Sequence, residues 1–288
     1  METFALLTCC LLFSSVVSAG ENGNSDDYRL LWSDEFEKDG SPDPKNWTFE
    51  KGFVRNEEFQ WYQEDNAFCK DGKLVIEGRR GQKENPDYKE GSSNWKENRK
   101  FAEYTSSAIT TKGLHSWKYG RFEVKARIKT QSGLWPAVWF LGVEGEWPSC
   151  GEIDLMEYYK GNILANACWG TGQRWKAEWN TSRKPVASFA GSGWDESFHV
   201  WRMDWDKDYI ELYVDDILLN TIDLSKTVNP TDRGPQNPFH QPHYMLLNLA
   251  IGGSCGGDPS KTPFPTSYEI EYVRVYQKIA ADQQENSR

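Results

Sequence analysis

Helical periodicity is what this sequence most lacks. No stretch of its 288 residues keeps an apolar 3.6-residue period over the dozen positions a stable helix needs, which excludes architectures built on long helices. Long apolar runs are equally scarce. Residues 4–17 are apolar or small but too short to span a bilayer, and no later segment resembles a transmembrane helix. Basic residues are in deficit, 33 Lys and Arg against 43 Asp and Glu, for a formal net charge of −10. Nucleic acid and anionic membrane surfaces are therefore poor partners, and a neutral polymer is easier to bind than a heavily sulfated one. There are six cysteines with no C-x-x-C pair, and His115, His199, His240 and His243 form no cluster, so no thiolate or imidazole metal centre is indicated. No Ser/Pro-rich linker, internal repeat or shift of composition divides the chain, which reads as one domain.

What is present is a succession of short strands. Apolar and polar residues alternate in 122–128 and again in 268–276. Further strands are expected at 74–77, 137–141, 163–169, 199–205, 209–214 and 244–250, with acidic turns at 206–208 and 215–216. Many strands with regular turns predict a β-sandwich or jelly roll. Two long loops, 81–103 and 225–242, are candidates for the rim of a cleft.

The chemistry is concentrated in residues 150–159, C-G-E-I-D-L-M-E-Y-Y. Glu152 and Asp154 are two apart and share one face of a strand. Strict alternation would send Glu157 to the other face, into the core. A one-residue bulge near Leu155 and Met156 restores the parity and brings all three carboxyls to one face. Clustered acids raise one another's pKa. A chain that tolerates this has a use for one protonated and one ionised carboxyl, the division of labour of glycoside hydrolysis. The acids alone would also fit a solvated strand face or a calcium or magnesium site. The tryptophans favour sugar chemistry: Trp135, Trp139 and Trp147 precede the acids, while Trp169, Trp175 and Trp179 follow them, and a carbohydrate cleft needs several aromatic platforms.

The segment W-P-S-C-G-E-I-D-L-M-E, residues 147–157, resembles the active-site strand of glycoside hydrolase family 16, in the laminarinase-like branch that carries an extra residue between the second and third acids. The resemblance extends to L-W-S-D-E-F at 31–36, R-N-E-E-F-Q-W-Y at 55–62, Y-G-R-F-E-V-K-A-R at 119–127 and G-L-W-P-A-V-W-F-L-G at 133–142. It continues through L-L-N-L-A-I-G-G at 246–253 to Y-V-R-V-Y-Q at 272–277. It implies an all-β, concanavalin A-like jelly roll with an open substrate cleft on the concave sheet. It also implies a retaining endo-acting hydrolase of β-1,3-glucan, with mixed-linkage β-1,3-1,4-glucan as second substrate. Glu152 is then the nucleophile, Glu157 the acid/base, and Asp154 the partner that sets their protonation. Trp135, Trp147 and Trp139 become sugar platforms, and Asn56 and Glu57 become polar neighbours of the cleft. Many members carry a His on the strand after the catalytic one. This chain has Cys168-Trp169-Gly170 there, so Trp169 is expected to line the cleft instead. No cofactor is required; a structural calcium near the acids of 32–39 and Glu271 is a further implication. The alternatives are an agarase- or transglycosylase-type relative, or a β-glucan-binding recognition protein, against which the retention of Glu152 and Glu157 counts.

The same reading divides the chain into a signal peptide at 1–19, a short segment at 20–27, a catalytic β-sandwich at 28–278 and a polar tail at 279–288. Small residues at Val17, Ser18 and Ala19 suit cleavage before Gly20, and secretion as a monomer is expected. Cys9 and Cys10 leave with the leader. Cys69, Cys150, Cys168 and Cys255 remain, with three complete disulfide pairings or free thiols open to them.

Overall fold

The computed structural model describes residues 28–279, apart from Ala190, Ser192, Thr231 and Arg233. The expected leader at 1–19, the segment 20–27 and the tail beyond residue 279 lie outside the described residues. Two almost wholly antiparallel sheets close on one core. The larger runs in the order β15 (Ile217–Asp223), β14 (Tyr209–Val214), β13 (His199–Trp205), β8 (Gly120–Arg127), β17 (Thr266–Lys278), β5 (Lys73–Glu84), β6 (Phe101–Ser106) and β3 (Gln60–Tyr62). Onto it β1 (Tyr28–Asp34) adds beside β17, and β4 (Ala67–Lys70) beside β5. The second sheet runs β12 (Ala177–Pro185), β11 (Asn162–Gly170), β10 (Glu152–Tyr159), β9 (Leu134–Gly142), β16 (His243–Ile251), β7 (Ala108–Thr110) and β2 (Thr48–Phe49). The one α-helix among the described residues, α1 (Gly253–Gly256), is a single turn. This is the expected all-β jelly roll.

Alternation explains the layering. In β8, Phe122, Val124 and Ala126 are buried while Arg121, Glu123 and Lys125 stay half-exposed. The core side of the second sheet supplies Val138, Phe140, Ile153, Leu155, Met156, Ala165, Ala167, Met245 and Leu247. Strands β9, β10 and β16 are buried along most of their length because their other face is also covered, by the side chains of the site. Hairpin β10–β11 turns on two residues, Lys160 at φ 49° and Gly161 at φ 76°, the positive pair of a type I′ turn.

Two expectations change, and the state of the cysteines, open in the sequence, is settled. The 81–103 loop is shorter than its composition suggests, because β5 continues to Glu84 and β6 begins at Phe101. Strand β12 went unforeseen: it is an edge strand, exposed or half-exposed throughout, so burial imposes no alternation of hydrophobicity on it. Cys69, Cys150, Cys168 and Cys255 are free thiols. Cys168 pairs with Glu152 in the ladder, and Cys150 precedes Gly151, whose φ of 81° takes the chain out of the strand.

Candidate active site

The bulge in β10 builds the site. Across β9, Asp154 pairs with Trp139 and Met156 with Val138, leaving Leu155 as the extra residue; Leu155 and Met156 both enter the core. Glu157 is thereby turned to the same face as Glu152 and Asp154. Directly paired residues share a face, so the ladder lays out three rows across the sheet. One runs Trp179, Cys168, Glu152, Leu141, Tyr244. The next runs Thr181, Asn166, Asp154, Trp139, Leu246, and the third Arg183, Leu164, Glu157, Ala137, Asn248.

Each carboxyl has its own partners. Trp147 Nε1 donates to Glu152 Oε2 at 2.7 Å, and Trp135 Nε1 donates to Glu157 Oε1 at 2.8 Å. Asn166 Nδ2 bridges the other two, at 3.0 Å from Glu157 Oε2 and 3.3 Å from Asp154 Oδ2. Asp154, only 2% exposed, hydrogen-bonds to both glutamates. Burial, then the charges of Glu157 and Glu152, push Asp154 well above the usual carboxylate range, which favours its protonated form. Burial also raises Glu152, against the bonds from Trp147 and Asp154. It pushes Glu157 up to about 7, against the bonds from Trp135, Asp154 and Asn166. Carboxyls that share hydrogen bonds in this way titrate as a coupled group rather than one by one.

A second polar network lies beside the acids on the β16 side. Arg55 is ion-paired with Glu50, and its guanidinium carbon lies 4.9 Å from the ring centre of Trp139. Trp139 Nε1 donates to Asn248 Oδ1 at 2.7 Å, and Asn248 Nδ2 donates to the Tyr62 hydroxyl at 3.1 Å. Tyr62 hydrogen-bonds Glu58, which also accepts from Gln60 at 2.7 Å. Two buried polar atoms have no protein partner here, Arg55 Nη1 and Asn166 Oδ1, leaving one donor and one acceptor at the site.

The tryptophans expected as platforms are not equivalent. Trp147 is 37% exposed and offers an open ring, whereas Trp135 and Trp139 are each 8% exposed, with their N–H groups committed to Glu157 and Asn248. Trp169 does not line the cleft: it follows Ala165 and Ala167 in parity and packs against the core, so Cys168 is the residue on the site face. Asn56 and Glu57 form an exposed turn with φ of 56° and 52°, while their neighbours Arg55 and Glu58 reach the buried network. Asn166 and Asn248 were missed because single asparagines in apolar strands carry no spacing signal; only ladder register reveals them.

Three of the acids named as neighbours of a calcium ion have protein partners in the fold. Asp34 accepts from Asn46 and Trp47, Glu35 is ion-paired with Arg274, and Glu271 with Lys125. Among the described residues no group of three or more His, Cys, Asp or Glu could hold a metal.

Residues 57–274 match the family described as Glycosyl hydrolases family 16. The chain is 31% identical to a beta-glucanase of Rhodothermus marinus, over 97% of this chain and 96% of that one. Among solved structures it is similar, at 32% identity and a TM-score of 0.71, to the catalytic domain of an endo-1,3-beta-glucanase (laminarinase) from Thermotoga petrophila, covering 88% of this chain and 99% of that one. A structure from work on endo-acting O-glycanases that initiate mucin breakdown, expressed by human gut microbiota, matches at 33% identity and a TM-score of 0.80, covering 91% of this chain and 95% of that one.

Proposed function

The chain belongs to glycosyl hydrolases family 16, and from that premise we propose that it is a retaining, endo-acting hydrolase of β-1,3-glucan, with mixed-linkage β-1,3-1,4-glucan as second substrate. The observation that supports this most is the set of three carboxyls on one strand face, two of them glutamates bonded to different tryptophans. Glu152 attacks the anomeric carbon and forms a glycosyl ester, while Glu157 gives its proton to the departing glycosidic oxygen. Glu157 then takes a proton from water, which attacks the ester and restores the original configuration. A pKa of about 7 suits Glu157 to both halves of this cycle. Asp154 passes hydrogen bonds to whichever glutamate is ionised. Arg55 Nη1 and Asn166 Oδ1 suit substrate hydroxyls. No cofactor enters these steps. Residues 1–19 are read as an export leader and 28–278 as the catalytic domain, acting outside the cell as a monomer.

A second reading, cleavage of mucin-type O-glycans, is favoured by the TM-score of 0.80 to the O-glycanase structure. Release of reducing ends from laminarin, lichenan, agarose, xyloglucan and mucin O-glycans separates the readings. Laminarin should be cleaved fastest. Cleavage of mucin O-glycans alone would replace the glucan with the second substrate class, and binding of laminarin without cleavage would make the protein a lectin.

A further inference from the structure

The geometry points to Trp179, on edge strand β12, as a sugar-stacking subsite for a neutral pyranose two rings from the cleaved bond. This rests on the hydrolase reading above and adds a residue to it. Trp179 pairs with Cys168 and Cys168 with Glu152, so all three lie in one row on the site face. Two strand spacings put Trp179 roughly 10 Å from Glu152, a distance that accommodates a pair of pyranose rings. The residue between them is a fully buried cysteine, too small to obstruct a chain lying across the sheet. Trp179 itself is 44% exposed and joins neither apolar cluster of the fold, so its ring face has no internal use.

The rim on this side is continuous. Arg174 stacks on Trp175, which is 55% exposed, and makes two 2.8 Å bonds to Glu146, the neighbour of Trp147. The turn leading into β12 is thus tied to the segment that presents Trp147 beside Glu152. A polysaccharide lying across the sheet meets Trp147 at the reacting ring and Trp179 further along. A flat indole facing a sugar ring gives apolar contact without a fixed hydroxyl pattern, so the subsite selects for chain length rather than linkage.

The test compares the wild type with Trp179→Ala and Trp179→Phe on laminari-oligosaccharides of increasing length and on a short aryl β-glycoside. Retention on laminarin in affinity electrophoresis gives a readout that needs no turnover. Trp179→Ala should lower kcat/KM roughly tenfold on chains long enough to reach β12, leave the aryl glycoside unchanged and weaken retention, while Trp179→Phe keeps most of each. An equal loss at every length, or undiminished retention with no loss at any length, overturns the subsite. A wild type that neither cleaves nor binds laminarin overturns the glucan reading beneath it, and this subsite with it.

Discussion

The indole nitrogen of Trp147 lies 2.7 Å from Oε2 of Glu152 and directs its hydrogen at the carboxylate. Such a bond stabilises the ionised form of a half-buried acid, and bonds to charged groups are each worth about 1.5–3 kcal/mol. Trp147→Phe keeps an aromatic ring and removes the donor. The expected result is a fall in kcat/KM of roughly 10- to 100-fold and an acid limb of the pH–rate profile displaced to higher pH. Steady-state kinetics across pH check this; a lower rate with an unmoved acid limb would mean that the ring, not the N–H, is what matters.

As the proposed acid/base, Glu157 must be protonated for the first step, and burial pushes it up to about 7. Activity should therefore decline above about pH 7. Asp154 lowers the pKa of both glutamates through its hydrogen bonds, so Asp154→Ala should move both limbs of the profile upward, and Asp154→Asn, which keeps a donor, should move them less. A superimposable profile for Asp154→Ala would show that the residue does not couple to either glutamate.

The same burial makes Glu157 a stability liability. Its folded pKa lies above the ordinary value of 4.5, so the stability it contributes is present at low pH and lost as pH rises from about 4.5 to about 7. Glu157→Gln should remove that loss, raising stability above pH 7 by on the order of 2 kcal/mol and changing little below pH 4. Denaturant titrations of both proteins at the two pH values measure it, and an equal gain at both would point to packing instead.

His243 acts with the opposite sign. It is fully buried on the core side of β16, stacked on Phe239 and edge-on to Trp205, and burial lowers its pKa from 6.5 to about 4. The unfolded chain binds the proton first on acidification, so stability falls as pH drops from about 6.5 to about 4. His243→Gln should flatten that slope by on the order of 3 kcal/mol across the window, whatever its effect at neutral pH. An unchanged slope would mean that other groups govern acid unfolding.

Much of this is legible in the sequence alone. The spacing of Glu152, Asp154 and Glu157 required a bulge near Leu155 and Met156, and the ladder has one there. Strands β13 and β14 have the bounds their alternation predicts, because each buries one face only. What stayed hidden depends on register. The bulge shifts β10 against β11 by one residue, which puts Cys168 rather than Trp169 beside Glu152. Asn56 and Glu57, expected as polar neighbours of the cleft, form an exposed turn with φ of 56° and 52°, and the buried network is reached by the residues on either side of them, Arg55 and Glu58. Composition identifies tryptophans near a sugar site; it does not reveal that the N–H groups of Trp135 and Trp147 are spent on the acids themselves.

The central claim, that Glu152 is the nucleophile and Glu157 the acid/base, is tested most directly by azide rescue of the two alanine variants on a β-linked substrate with a good leaving group. In Glu152→Ala no ester can form, so azide attacks the anomeric carbon once and gives an α-glycosyl azide. In Glu157→Ala the ester still forms, azide displaces it from the opposite face, and two inversions give a β-glycosyl azide. Proton NMR of the products distinguishes the anomers: α from Glu152→Ala and β from Glu157→Ala is the predicted result, and the reverse pairing, or full activity in either variant without azide, would contradict it.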